Sequence, residues 1–205
     1  MFDLPPPNPG MEFSIASRGI SKGIAQTDGP QLLARAFADV GEVQVGGQWK
    51  NVTSPVAKGE GAAFVTWKHK FGRVQATLGA TFKFQTGVTE PADAKALELN
   101  GSLAPKWGKA GIRLAAIYSP DDLGSAGRSL YVEAGPSYDL TGTLRLSAAV
   151  GRRQRVRSPD YTSFNAGLTK TIDKLSLEAR YYRTAQNDLG DPYCPRLVVT
   201  ARLAW

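Results

Sequence analysis

The chain has 205 residues, with 25 lysines and arginines against 18 aspartates and glutamates, and so a formal charge of +7. This length fits one domain, and 22 glycines with 13 prolines are too many for a helical bundle. The mean hydropathy is −0.25, and no apolar run approaches the ~18 residues of a membrane-spanning helix. One cysteine, Cys194, excludes a disulfide framework, and one histidine, His69, leaves little scope for histidine-dependent chemistry.

The first residues, MFDLPPPNPG, contain no basic segment followed by an apolar core, which a signal peptide requires. We expect a mature chain from which a signal peptide has been removed. We also expect residues 1–9 to form an extended arm and residues 10–205 to form a single domain.

Alternation of apolar and polar residues is the main pattern of the chain, and it predicts β-strands. In the clearest run, apolar residues occupy every second position from Val74 to Phe84. We predict about twelve strands of roughly 9–12 residues, the length that a tilted strand needs to cross a bilayer. No stretch is predicted to be a helix, and the best candidate, 91–98, is short. The expected strands are 10–19, 31–39, 43–52, 62–70, 73–86, 95–104, 110–119, 128–139, 143–152, 161–170, 174–184 and 196–205.

The connections between these strands are predicted to alternate between short and long. Short links are expected at 40–42, 71–72, 105–109, 140–142 and 171–173, and longer polar segments at 20–30, 53–61, 87–94, 120–127, 153–160 and 185–195. Tight periplasmic turns and longer extracellular loops alternate in this way in outer-membrane barrels. Aromatic residues near strand ends, such as Trp49, Trp67 and Tyr138, fit the two bilayer interfaces.

These patterns predict an all-β fold, a transmembrane antiparallel up-and-down β-barrel of about twelve strands with both termini in the periplasm. The alternative is a water-soluble barrel or sandwich whose polar face is its outside. Solubility of the refolded chain without detergent would indicate that alternative.

The segment SRGISKGIAQTDGPQLLARAFADV at 17–40, followed by VGGQWKNV at 45–52, resembles the opening of the TorF-type outer-membrane porin family of proteobacteria. The resemblance implies a β-barrel of the bacterial outer membrane with a transport role, and it is specific over residues 17–52. The terminal Trp205 resembles the signal that the barrel-assembly machinery reads. The matching residues are Arg18, Gly19, Ile20, Ser21, Gln26, Thr27, Asp28, Pro30, Trp49, Asn51 and Val52.

The face opposite the apolar set is rich in charges, which we place in the lumen because each would cost ~2–4 kcal/mol on the lipid face near the midplane. We expect Lys68, Lys83, Arg113, Arg145 and Arg180 to set the potential of a pore, together with the acids Glu98, Glu133 and Glu178. The full set adds the bases Arg35, Lys50, Lys70, Arg73, Lys174, Arg196 and Arg202 and the acids Glu12 and Asp39. Such an excess of bases favours anions.

Two functions follow from this barrel. The first is a porin for passive diffusion of small polar, preferentially anionic solutes. The second is a structural or interaction barrel whose lumen is plugged by an Arg–Glu network and whose surface loops bind a partner or lipopolysaccharide. Conductance distinguishes the two.

Four further arginines, Arg152, Arg153, Arg155 and Arg157, open the fifth long loop. At the outer rim they would contact lipopolysaccharide phosphates, which pair well with guanidinium groups. Nucleic-acid binding is not expected, since no aromatic platform accompanies them. We expect no enzyme activity, cofactor or metal, since His69 is assigned to the lipid interface and Cys194 is isolated. The acids of the long loops are expected to be solvated charges; they are Asp28, Glu60, Glu90, Asp93, Asp121, Asp122, Asp160, Asp188 and Asp191.

Overall fold

The computed structural model describes residues 5–54, 57–88, 94–124 and 126–205. Twelve antiparallel strands form a closed barrel, and two short strands, β2 and β3, form a separate hairpin. The barrel strands are β1 Asn8–Ala16, β4 Gln31–Val40, β5 Val43–Ser54, β6 Ala57–Phe71, β7 Val74–Thr86, β8 Lys95–Trp107, β9 Ala110–Asp122, β10 Gly127–Asp139, β11 Leu144–Arg155, β12 Tyr161–Ile172, β13 Leu175–Thr184 and β14 Arg196–Ala204. The hairpin strands are β2 Ile20–Ser21 and β3 Ile24–Ala25.

The prediction of about twelve antiparallel strands is confirmed. Each strand pairs with its neighbours in sequence, and β1 closes the barrel by pairing with both β4 and β14. The backbone of Trp205 completes this closure, because its carbonyl accepts a bond of 2.8 Å from Met11 N and its N–H donates one of 3.0 Å to Met11 O. With no free edge, every strand satisfies its backbone groups on both sides.

Apolar side chains lie on the outside of the barrel, as the alternation predicts. Leu78 on β7 and Leu197 on β14 are 58% and 65% exposed, whereas inward-facing Lys83 and Val198 are 9% and 3% exposed. This is the reverse of a water-soluble protein, whose large apolar residues are buried. The described part of the chain contains no helix with the length and hydropathy of a membrane span.

One end of the barrel, here the short-turn end, carries both termini and the tight connections. Gly72 and Gly108 each open a two-residue link with a φ of +59°, a backbone conformation that glycine adopts without steric cost. The predicted short links at this end are confirmed in position.

The opposite end, here the long-loop end, differs from the prediction in loop length. The segment 53–61 was predicted to be a loop, but β5 extends to Ser54 and β6 begins at Ala57. In the same way β9 extends to Asp122 and β11 to Arg155. At Glu60 and Arg153 charged residues continue the alternation of β6 and β11, although the prediction assigns them to loops. At the end of β9 the strand continues through a shift of its register with β10.

Two other expectations concern regions that are described in part. The expectation that no stretch forms a helix holds for the described part of 91–98, because β8 begins at Lys95, the predicted start of that strand. Residues 89–93, with Glu90 and Asp93 of the long-loop acids, lie outside the described residues. For the arm at 1–9, residues 1–4 lie outside the described residues and β1 begins at Asn8.

Candidate functional site: the barrel lumen

A cluster of buried charges fills the long-loop end of the lumen. We call it the ionic cluster; it consists of Lys22, Lys50, Glu60, Lys83, Glu98, Asp122 and Arg153. Lys83 Nζ lies 2.9 Å from Glu98 Oε1 and 3.7 Å from Glu60 Oε1, and Lys50 Nζ lies 3.2 Å from the same Glu60 oxygen. Arg153 pairs with Asp122. Bases and acids therefore alternate across seven chain segments, and each buried charge has an opposite charge beside it.

The segment 17–30, here called loop 1, enters the lumen at this end. Its hairpin, β2–β3, turns at Lys22 and Gly23, and the Lys22 side chain is only 5% exposed. Lys22 Nζ lies 2.6 Å from Glu98 Oε1 and 3.1 Å from Asp122 Oδ2. The pKa of Lys22 is lowered, mainly by burial. The positive charge of Arg153 lowers this pKa further, while the carboxylates of Glu98 and Asp122 act in the opposite direction.

Aromatic packing narrows the lumen beside β4, β5 and β6. The Arg35 guanidinium lies 4.3 Å from the ring centre of Phe64 and 5.4 Å from that of Phe37. Arg35 Nη2 also donates to Gln44 Oε1 over 2.7 Å. Space for these rings comes from Gly46, where a Cβ would lie 2.7 Å from the Phe64 ring. The open part of the lumen is therefore displaced toward the opposite wall.

A cavity of about 1180 Å³ remains along that opposite wall, mainly against β9 to β13. It extends from Lys22 and Gly23 of loop 1 to the turns at Gly72 and Gly108. Among the described residues its lining contains eight bases and two acids. The bases are Lys22, Lys70, Arg73, Lys106, Arg113, Arg145, Arg180 and Arg202, and the acids are Glu133 and Glu178. The lining therefore carries an excess of six positive charges, since eight bases face two acids.

Hydrogen bonds fix several of the bases that line the cavity. Arg180 donates to Asn165 Oδ1 and Ser147 Oγ, both over 2.6 Å, and to Glu178 Oε2 over 3.1 Å. Arg113 and Arg145 are looser, with side chains 58% and 52% exposed, although they pair with Glu133 and Asp139. The wall thus combines one guanidinium held by three hydrogen bonds with two exposed ones that each pair with a carboxylate.

The predicted pore residues fall into three groups. Arg113, Arg145 and Arg180, with Glu133 and Glu178, line the cavity. Lys83 and Glu98 also face inward but belong to the ionic cluster, so their expected place on the open pore wall is corrected. Lys68 shares the inward face of β6 with Lys70 by alternation, but it does not line the cavity.

Sequence reasoning missed four members of the ionic cluster: Glu60, Asp122, Lys22 and Arg153, the last of which is described below. Glu60 and Asp122 are predicted to be solvated loop acids. Glu60 continues the inward alternation of β6, whereas Asp122 is three residues from inward-facing Ser119 on β9 and is buried because the register between β9 and β10 shifts by one residue there. Lys22 lies in a loop where no periodicity applies, so its position could not be predicted from the pattern.

The lipopolysaccharide prediction for the four arginines requires a correction. Arg153 lies inside the barrel, and Arg155 packs 5.1 Å from the ring centre of Tyr161 and donates to Tyr193 Oη over 2.9 Å. Arg152 and Arg157 are exposed. Arg152 and Arg153 differ in exposure because β11 continues to Arg155, so that successive side chains of this strand point to opposite faces.

The residues that were considered for catalysis or metal binding, His69 and Cys194, lie far apart in the fold: His69 is near the short-turn end and Cys194 is in the last loop of the long-loop end. His69 stacks on Trp67, with ring centres 5.5 Å apart, and contacts Glu42 near the short-turn end. Cys194 is a free, half-buried thiol in the last loop. No group of three or more potential metal ligands occurs within the described ranges.

The fold is that of outer-membrane channels. No family model matches the chain, and no curated protein matches it either. The KdgM porin is similar with a TM-score of 0.66 and 6% identity, over 96% of this chain and 99% of that one. The NanC porin is similar with a TM-score of 0.65 and 6% identity, over 95% of this chain and 98% of that one. The COG4313 outer membrane channel from Pseudomonas putida F1 is similar with a TM-score of 0.56 and 10% identity, over 97% of this chain and 94% of that one.

Proposed function

We propose that this protein is an outer-membrane channel for passive diffusion of small polar solutes, with a preference for anions. The observation that carries the proposal is the cavity lining, where eight bases face two acids. A similar structure is the KdgM porin in complex with disordered oligogalacturonate, an acidic ligand that suits such a lining. We also propose membership of the TorF-type family, on the residues matched between 17 and 52.

Recording of the purified protein in a planar bilayer under a salt gradient tests this function. We expect a reversal potential of the sign that anion selectivity produces. Cation selectivity would contradict the charge argument, and the absence of conductance would favour a closed barrel.

The closed barrel is the second candidate function, and the ionic cluster favours it. Lys83 and Glu60 are 9% and 2% exposed, and loop 1 occupies the same end of the lumen. In this case the protein is a structural or interaction barrel, and its surface loops bind a partner.

The apolar outside of the barrel supports its placement in the outer membrane. Two variants of neighbouring residues, one facing outward and one facing inward, test this placement. Leu114→Arg puts a charge on the outward face at mid-strand, where Leu114 is 47% exposed, and we expect a loss of about 2–4 kcal/mol of folding free energy in lipid. Ala115→Arg on the same strand directs the charge into the cavity and is expected to have a much smaller effect. Denaturant titration of folding into vesicles measures both, and equal losses would contradict the membrane assignment.

Lipopolysaccharide contact is proposed for Arg152 and Arg157, which are exposed at the long-loop end. Arg152 Nη2 lies 3.2 Å from Asp160 Oδ2, an exposed pair that a phosphate group can replace. Charge reversal at both arginines should reduce the lipopolysaccharide that co-purifies with the protein, and unchanged retention would refute the contact. Insertion by the barrel-assembly machinery through Trp205 is proposed on the resemblance alone.

A further inference from the structure

The tip of loop 1 is attached to the barrel wall chiefly through one residue. The Lys22 ammonium lies between the carboxylates of Glu98 and Asp122, at 2.6 and 3.1 Å, and the Lys22 carbonyl accepts a bond of 2.7 Å from Tyr161 Oη. The base of the loop is fixed separately, since Gln26 Oε1 accepts from Lys50 Nζ over 2.6 Å and Gln26 O accepts from Thr53 N over 2.9 Å. Removing the Lys22 ammonium therefore takes away both ionic contacts of the tip, and leaves the Tyr161 bond and the base of the loop in place.

The barrel wall does not need Lys22 to balance its own charges. Without Lys22, the ionic cluster still has three bases and three acids, all of them on barrel strands. Glu98 keeps Lys83 at 2.9 Å, and Asp122 keeps Arg153 and the Ser129 hydroxyl. The lysine thus serves to attach the loop, and no wall carboxylate is left unpaired when it is replaced.

The turn is also shaped to lie against the wall. Lys22 and Gly23 have φ angles of +51° and +83°, the left-handed conformation that two-residue hairpin turns require. A Cβ at Gly23 would lie 2.3 Å from Cβ and Oγ of Ser163 on β12, and Ser163 is completely buried. Only glycine permits this approach, so the tip covers Ser163.

We propose that Lys22 is a latch that holds loop 1 as a constriction in the lumen and thereby sets the size limit for solutes. The statement on solutes rests on the proposed channel function. Lys22 and Gly23 bound the cavity at its long-loop end, so a solute that crosses the barrel has to pass this turn.

Lys22→Met tests the latch, because methionine keeps the length of the side chain without its charge. A cysteine reporter, Ser163→Cys in a Cys194→Ser background, measures exposure of the covered wall. We expect a membrane-impermeant maleimide to label the reporter at least ~10-fold faster when Lys22→Met is added. In vesicles, the variant should admit larger uncharged sugars than the wild type, which separates size from charge. Lys95→Met, an exposed lysine at the same end, is the matched control and should change neither result.

The outcomes distinguish the latch from the channel. Faster labelling without conductance in either protein would support the latch and overturn the channel function. Conductance with unchanged labelling and unchanged size limit would overturn the latch, and faster labelling with an unchanged size limit would overturn its role in selecting solutes. If Lys22→Met does not fold, Gly23→Ala forces the tip off Ser163 and leaves every charge intact; slow labelling in that variant would overturn the proposal.

Discussion

Replacing Glu60 by glutamine is expected to lower the free energy of unfolding by about 3–5 kcal/mol, the usual cost of removing one partner of a buried ion pair. The Glu60 side chain is 2% exposed and lies between Lys50 and Lys83, at 3.2 and 3.7 Å. Glutamine keeps the size of the side chain but leaves the two lysines with an excess of buried positive charge. Denaturant unfolding in detergent micelles, followed by tryptophan fluorescence, measures the loss.

Two further variants show whether charge is the cause. Glu42→Gln removes an exposed carboxylate that is half accessible and pairs with His69, so we expect a change within about 1 kcal/mol. Adding Lys50→Met to Glu60→Gln removes one of the unpaired lysines and should recover part of the lost stability. Equal losses for Glu60→Gln and Glu42→Gln would show that the ionic cluster does not stabilise the barrel.

Reversing three charges on the cavity wall is expected to abolish anion selectivity. Arg113→Glu, Arg145→Glu and Arg202→Glu together leave five bases and five acids in the lining. A unit charge about 8 Å from a permeating ion changes its energy by roughly 0.5 kcal/mol in water, or about twofold in permeability. Three reversals therefore change the anion-to-cation ratio by about tenfold or more at low salt, which the reversal potential measures.

The triple variant is designed to preserve the fold. The three arginine side chains are 58%, 52% and 54% exposed. Two of the three carboxylates they leave have other contacts, since Tyr131 Oη donates to Glu133 and Lys106 pairs with Asp139. The control reverses the same number of charges away from the cavity, at exposed Lys95, Arg128 and Arg183. Equal shifts in the two triple variants would show that the total charge of the protein, not the lining, determines selectivity.

Most of the barrel could be predicted because its rules are local. Side chains of a strand alternate between two faces, so the run from Val74 to Phe84 fixes both the strand and its orientation. Strand ends were less accurate. At Glu60 and Arg153 a charge is interpreted as the mark of a loop, whereas inside a barrel a charge continues a strand when another strand carries its partner.

The sequence by itself determined the number of strands, the closed barrel they form, the outward apolar face and the excess of inward bases, since all of these depend on residue type and on a period of two. The tertiary structure decided which of those bases face an open cavity. Arg180 remains on the cavity wall and Lys83 is buried against Glu98, although both satisfy the same pattern. The tertiary structure also decided the position of loop 1. Lys22 contacts Glu98 and Asp122, which are 76 and 100 residues away in the sequence, only when the barrel is closed.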